Sequence, residues 1–201
     1  MGSIVSVDTL QGLTSGQVTL PTGHKIKGTD VGSIAAPGMV VQVVQGPIIG
    51  QAAANMSYGV TANQNNKSGY VHLGSSYNTT FTTKLANSKL LISGGLSLSG
   101  TTSHQFFDLL VSGAASGWLS ELVGGSGFDA LLGNHATVTD LYYRQNFELL
   151  YSPGLAAGST ITLAPYIGNW GAGTMWINQY PSSGNYNASN PSAIIIQEIA
   201  Q

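Results

Sequence analysis

The chain has 201 residues, 42% of them hydrophobic and only 7% charged, against roughly 25% charged in an average soluble domain. That length and apolar content can bury one core of ordinary size, and so little charge excludes an expanded polyelectrolyte tail. Six Lys and Arg stand against eight Asp and Glu, a net charge of -2, so no basic patch can neutralise phosphates and nucleic acid is excluded as a partner.

Residues 1–37 hold short strand-like pieces, Val18-Thr19-Leu20 and Lys25-Ile26-Lys27, between turns at Pro21-Thr22-Gly23 and Gly28-Thr29-Asp30. A segment of this size has no core of its own. It reads as an N-terminal arm for attachment or oligomerisation, with His24, Lys25 and Lys27 as its candidate attachment residues, followed by a domain over 38–201.

Along that domain, Met39-Val40-Val41-Gln42-Val43-Val44 is a β-branched strand closed by Gly46-Pro47. Residues 48–66 are rich in Gly, Ala, Asn and Gln and read as a connecting loop. Gly69 to Leu73 and Tyr77 to Phe81 are short strands. Lys89 to Ser99 is a longer one, with a bulge or bend expected at Gly94-Gly95. His104 to Val111 alternates, and Trp118 to Val123 reads as a strand before the turn Gly124-Gly125-Ser126-Gly127, with Trp118 in the core. Val138 to Tyr151, Thr160 to Ile167, Thr174 to Tyr180 and Ala193 to Ala200 complete the set.

Helix periodicity is absent and Gly numbers 27. About eight to ten strands, one every ~10–15 residues, predict an all-β fold: an antiparallel jelly roll or β-sandwich.

Chemistry-bearing motifs are few. There is no cysteine, hence no disulfide or thiolate metal site. His24, His72, His104 and His135 lack metal-ligand spacing, so no metal or cofactor is expected. Ser126 in Gly124-Gly125-Ser126-Gly127 has no Gly following at the spacing of a nucleophile elbow, and a turn is the reading. Asp108, Glu121, Asp129, Asp140 and Glu148 are acid–base candidates by type alone, and one of them could pair with Arg144. No catalytic residue is assigned, and the chain reads as a non-enzyme.

Residues 1–20 have no basic start and no apolar run of about 7–15, so no signal peptide is read. No stretch approaches about 18 apolar residues, so no membrane insertion is expected. The four Asn-x-Ser/Thr matches, beginning at Asn55, Asn66, Asn78 and Asn187, are explained by composition in a chain so rich in Asn, Ser and Thr.

Two features stand out. Trp170, Trp176, Tyr180 and Tyr186 lie among five Asn between Gly168 and Pro191. Aromatic faces stack on sugar rings and amides bond hydroxyls, so these four are the glycan candidates. The competing reading puts Trp176 in a strand between Met175 and Ile177, with the Asn, Ser and Pro residues making a long turn. The closing strand is apolar on both faces, Ile194 and Ile196 on one and Ile195 and Ile199 on the other. A strand buried twice needs a partner over its second face, so Ile194, Ile196 and Ile199 are the oligomer-interface candidates.

The phrase from Leu13 to Ile34, then Ala36-Pro37-Gly38 and a Val/Gln strand, resembles the N-terminal part of small structural proteins of tailed bacteriophages, many of them from aquatic phages. Ala86 to Ser93, Tyr151-Ser-Pro-Gly leading into Thr160-Ile-Thr-Leu, and Ser192 to Ala200 resemble later strands of the same family in the same order. Residues 100–140 fall outside the resemblance. What it implies is a trimeric jelly-roll domain on the virion surface, made in the host cytoplasm, with no catalytic residues. Its partners would be itself as a homotrimer and the major capsid protein or tail proteins. A capsid decoration (cement) protein needs only an arm and a projecting domain, which suits this length. The alternative is a short tail fibre or receptor-binding tip recognising a host surface glycan.

Overall fold

A computed structural model describes residues 36–49, 57–60, 67–100, 104–125, 130–135, 143–169, 173–178 and 193–201. The chain divides into two units, Met1–Ile34 and Ala35–Gln201, and the described residues all belong to the second.

Among them twelve strands alternate with very little helix. They are β1 (Val40–Gln45), β2 (Ser57–Val60), β3 (Val71–His72), β4 (Thr79–Thr82), β5 (Lys89–Gly100), β6 (His104–Gly113), β7 (Gly117–Trp118), β8 (Leu132–His135), β9 (Tyr143–Tyr151), β10 (Thr160–Asn169), β11 (Gly173–Ile177) and β12 (Ile195–Ile199). The single α-helical turn, α1, spans Leu119–Leu122.

All pairings are antiparallel and form two sheets. In the first, β1 pairs β12, β12 pairs β5, and β5 pairs β9. In the second, β3 and β4 share one side of β10, and β6 takes the other before β7 and β8. If β3 with β4, and β7 with β8, each count as one interrupted strand, the principal strands in chain order build sheets 1-8-3-6 and 2-7-4-5. Strands 1 to 4 and then 5 to 8 alternate between the sheets, with 4 and 5 neighbours in one, in the pattern of a jelly roll, two interleaved Greek keys. The all-β sandwich expected from the strand spacing is the fold observed.

Period-two alternation sets what is buried. Leu90, Ile92, Leu96 and Leu98 of β5 meet Phe107, Leu109 and Val111 of β6 and Ile161, Leu163 and Ile167 of β10, all at most 1% exposed. The Phe107 and Phe147 rings, 5.9 Å apart, join the two sheets through the core. Outside, Thr80 and Thr82 of β4 bond Thr162 and Thr160 of β10 hydroxyl to hydroxyl, at 3.2 and 2.9 Å. Such cross-strand pairs stabilise a sheet face without charge.

The structure corrects several element expectations. Ser57–Val60 is a strand in a segment read as loop, and Leu132–His135 is a strand that sequence did not mark. Both are short edge strands whose pairing to a neighbour, rather than propensity, holds them extended. Lys67–Gly69 and Ser75–Tyr77 are 3-10 turns, which shorten the adjoining strands. The expected strand at Trp118 to Val123 is two strand residues followed by α1, because the Ser120 backbone and hydroxyl bond Asp108 rather than a neighbouring strand. Trp118 is half-buried, not in the core.

No bulge occurs at Gly94-Gly95: the β5–β9 register runs unbroken from Leu90 opposite Tyr151 to Leu98 opposite Tyr143. These glycines answer close approach instead. A Cβ on Gly94 would lie 2.9 Å from the Phe147 ring, and one on Gly95 would collide with the Asn146 side-chain oxygen.

Candidate functional site

The outward face of the first sheet is assembled by register. Directly paired residues point to the same side, so Val43, Gln197, Leu91 and Leu150 form one row across β1, β12, β5 and β9. Gln45, Ile195, Ser93 and Glu148 form the next row. Val40 and Ile199 pair beyond the first row. Val40, Val43 and Leu150 are 48, 59 and 49% exposed, while Leu91, Ile195 and Ile199 are half-buried. This end of the face is an apolar surface turned toward solvent.

Toward the middle of the sheet it becomes polar. β12 pairs β5 only as far as Ser93, and β11 pairs it only from Leu98. Among the described residues, Gly94 to Ser97 therefore have no strand partner on that side. An open groove of about 540 Å3 lies here, floored by Gly94, Gly95 and Phe147 and walled by Gln45, Arg144, Asn146 and Glu148. Arg144, Asn146 and Glu148 alternate along β9 and so share its outer face. Among the described residues the Arg144 and Glu148 side chains make no ion pair or hydrogen bond, and neither do the amides of Gln45 and Asn146.

Among the described residues, three buried charges lie elsewhere. On the core side of β12, Glu198 is 0% exposed. Its carboxylate accepts the Lys84 and Leu85 backbone N–H groups at 2.9 Å, the Ser88 hydroxyl at 2.8 Å and the Gln42 amide at 2.6 Å. Burial alone would raise this carboxyl. The four donors outweigh it and hold the group below the usual carboxylate range.

On the outer side of the second sheet, the Lys67 ammonium donates to Asp108 and to the Ser120 hydroxyl, each at 2.6 Å. It lies 3.4 Å from Glu121 and 5.3 Å from the centre of the Trp118 ring. The Ser120 hydroxyl in turn donates to Asp108 at 2.5 Å. A serine beside a lysine is a nucleophile–base pair in some hydrolases. Here Lys67, Asp108 and Ser120 are all buried, and the lysine protons are held by two carboxylates and a hydroxyl. The cluster ties β6, α1 and the 67–70 turn together. Beside it, burial and then the Asp108 charge push the Tyr70 hydroxyl up.

Of the four glycan candidates, Trp176 alone lies among the described residues. It is half-buried on β11 between the core residues Met175 and Ile177, and it pairs Ser99 on the outer face of the first sheet. Trp170, Tyr180 and Tyr186 lie outside the described residues, as do His24, Lys25 and Lys27 of the arm.

The three interface candidates separate. Ile194 and Ile196 are 2 and 0% exposed within the subunit's own core, whereas Ile199 faces outward with Ile195. The core face of this strand also carries Glu198, so it is not wholly apolar. Among the acids, Asp108 and Glu121 gather around Lys67, Glu148 lines the groove, and Asp129 and Asp140 lie outside the described residues. Among the described residues no group of three potential ligands could hold a metal ion.

The groove residues carried a readable signal. Arg144, Asn146, Glu148 and Leu150 alternate with Gln145, Phe147 and Leu149, which in a strand puts all four on one face. The Lys67–Asp108 pair carried none, since 41 residues separate its members.

No protein-family model matches the chain, and no curated protein matches it. Among solved structures, the T13 viral particle of infectious bursal disease virus is 15% identical with a TM-score of 0.37, covering 79% of this chain and 35% of that chain. The VP2 subviral particle of the same virus is 14% identical, TM-score 0.37, covering 90% and 46%. The virus-derived T=1 particle is 15% identical, TM-score 0.39, covering 89% and 41%. The chain spans less than half the length of these proteins, and at such values the likeness carries no argument about function.

Proposed function

We propose that this chain is a structural protein of a phage virion surface, a trimeric capsid decoration protein attached to the shell through its N-terminal arm. The observation that carries this reading is the solvent-facing end of the first sheet's outer face, where Val40, Val43, Leu91, Leu150 and Ile199 are interrupted by Gln197 and edged by Lys89. A largely apolar exposed patch of this kind marks an interaction surface. Its occupant in this reading is a second copy of the chain, repeated around a three-fold axis. The low charge, the hydroxyl-paired sheet surface and the resemblance of the N-terminal phrase to small tailed-phage proteins support the same assignment.

The arm, residues 1–37, attaches by strand addition to a shell protein, a mode whose affinity comes from main-chain hydrogen bonds. His24, Lys25 and Lys27 face acidic groups of that partner.

The test is addition of full-length protein, and of protein lacking residues 2–34, to undecorated capsids. Full-length protein is expected to bind and to raise the temperature at which capsids burst, and the truncated protein to do neither. Binding of the full-length protein to tails or host cells but not to capsids would replace decoration with the tail-fibre reading.

A further inference from the structure

The groove lies over the outer face of β5 and β9, next to the apolar end of that face. We infer that it is a binding site for a neutral oligosaccharide. Its volume of about 540 Å3 falls within the roughly 300–1,000 Å3 range of small-ligand sites. Arg144 stands at one end and Glu148 at the other, about 13 Å apart at roughly 3.3 Å per strand residue. The two charges cancel, so the groove selects neither a polyanion nor a polycation. The two charges share the groove without pairing, and their hydrogen-bonding capacity is open to a ligand.

The remaining lining matches the two faces of a sugar ring. The apolar part of the lining, Gly94 and Gly95 with Ile48, Ala193 and Ile195, fits C–H surface. The amides of Gln45 and Asn146 each donate and accept, as sugar hydroxyls do. Glu148 accepts only and Arg144 donates only, which orients the chain end to end. Farther along the same face, Trp176 sits opposite Ser99. That is four residues beyond Gly95, close enough for a longer chain to stack on the indole.

A peptide strand is the competing occupant, but the gap in pairing from Gly94 to Leu96, closed by the Asn178 bonds to the Ser97 main chain, offers too short an edge for strand addition. The inference stands on the groove alone, so a negative capsid-binding result leaves it intact.

The experiment uses the full chain on an array of neutral oligosaccharides built from hexoses, deoxyhexoses and N-acetylhexosamines, beside sialylated and sulfated ones. The strongest binder is then titrated by calorimetry. Saturable binding of a neutral oligosaccharide is expected, weakened roughly tenfold or more by Asn146→Ala and by the isosteric Glu148→Gln, the loss of about one hydrogen bond in a site. Melting temperature and sedimentation of both variants should match the parent, which separates loss of the site from loss of fold or assembly. The inference is overturned if no neutral oligosaccharide binds, if only anionic ones do, or if both substitutions leave affinity unchanged.

Discussion

Lys67 donates to Asp108 at 2.6 Å, with side-chain exposures of 3 and 0%, although neither residue lies in the sandwich core. The pair sits on the outer side of the second sheet, roofed by the 67–70 turn, α1 and Trp118. A charge pair so enclosed stabilises only while both members are present, because either alone is a buried charge without its counterion. Lys67→Met is expected to destabilise the domain by about 3–5 kcal/mol. Pairing it with Asp108→Leu should recover much of that loss. Urea unfolding of the two variants is the check, and a loss below about 1 kcal/mol for Lys67→Met would show the pair to be solvated.

Glu198 predicts acid sensitivity with a definite sign. Its folded-state pKa lies below the reference value of 4.5, so the folded state binds the proton more weakly than the unfolded chain. The stabilisation is therefore complete above that reference value and is lost as the pH falls through the lower folded value. Thermal midpoints measured from pH 7 down to pH 3 should fall in that window for the parent protein. Glu198→Gln should begin about 1–3 kcal/mol less stable, because its amide keeps one oxygen for the Lys84 and Leu85 N–H groups but turns a donor toward the Gln42 amide nitrogen. It should also show a shallower acid limb. Equal acid limbs would remove Glu198 as the cause.

Gly168 lies against the Tyr70 ring, in space a Cβ would occupy. Gly168→Ala is expected to displace Tyr70 from its edge-on contact with Trp118, whose ring centre is 5.5 Å away, and to cost about 1–3 kcal/mol as overpacking. In combination with Tyr70→Ser the two effects should fall short of additive, since they share one contact. Strict additivity in chemical denaturation would contradict the contact.

The two faces of the first sheet make opposite predictions for assembly. Ile196→Asp places a charge in the subunit's own core and should prevent folding altogether. Val43→Asp and Leu150→Asp place it on the outward face, where the parent residues are 59 and 49% exposed. These variants should remain folded while losing the trimer. Sedimentation with circular dichroism distinguishes the outcomes, and a folded trimer of Leu150→Asp would exclude this face as the interface.

The strand pattern, and with it the all-β class, was legible in the sequence because alternation and β-branching are local properties. The runs beginning at Val40, Lys89, His104 and Thr160 are strands with nearly the boundaries their residues predict. The alternation of Arg144, Asn146 and Glu148 is a signal of the same local kind, although no expectation rests on it. What local pattern could not supply was the partner. Ser57–Val60 and Leu132–His135 are extended because β11 and β6 offer them hydrogen bonds, and Trp118 to Val123 turns helical because Asp108 captures Ser120. Which face of the last strand meets the core, why Gly94 and Gly95 lack side chains, and how Lys67 reaches Asp108 are likewise set by residues distant in the chain. Burial and close approach are properties of pairs, and only the tertiary structure decides which pairs meet.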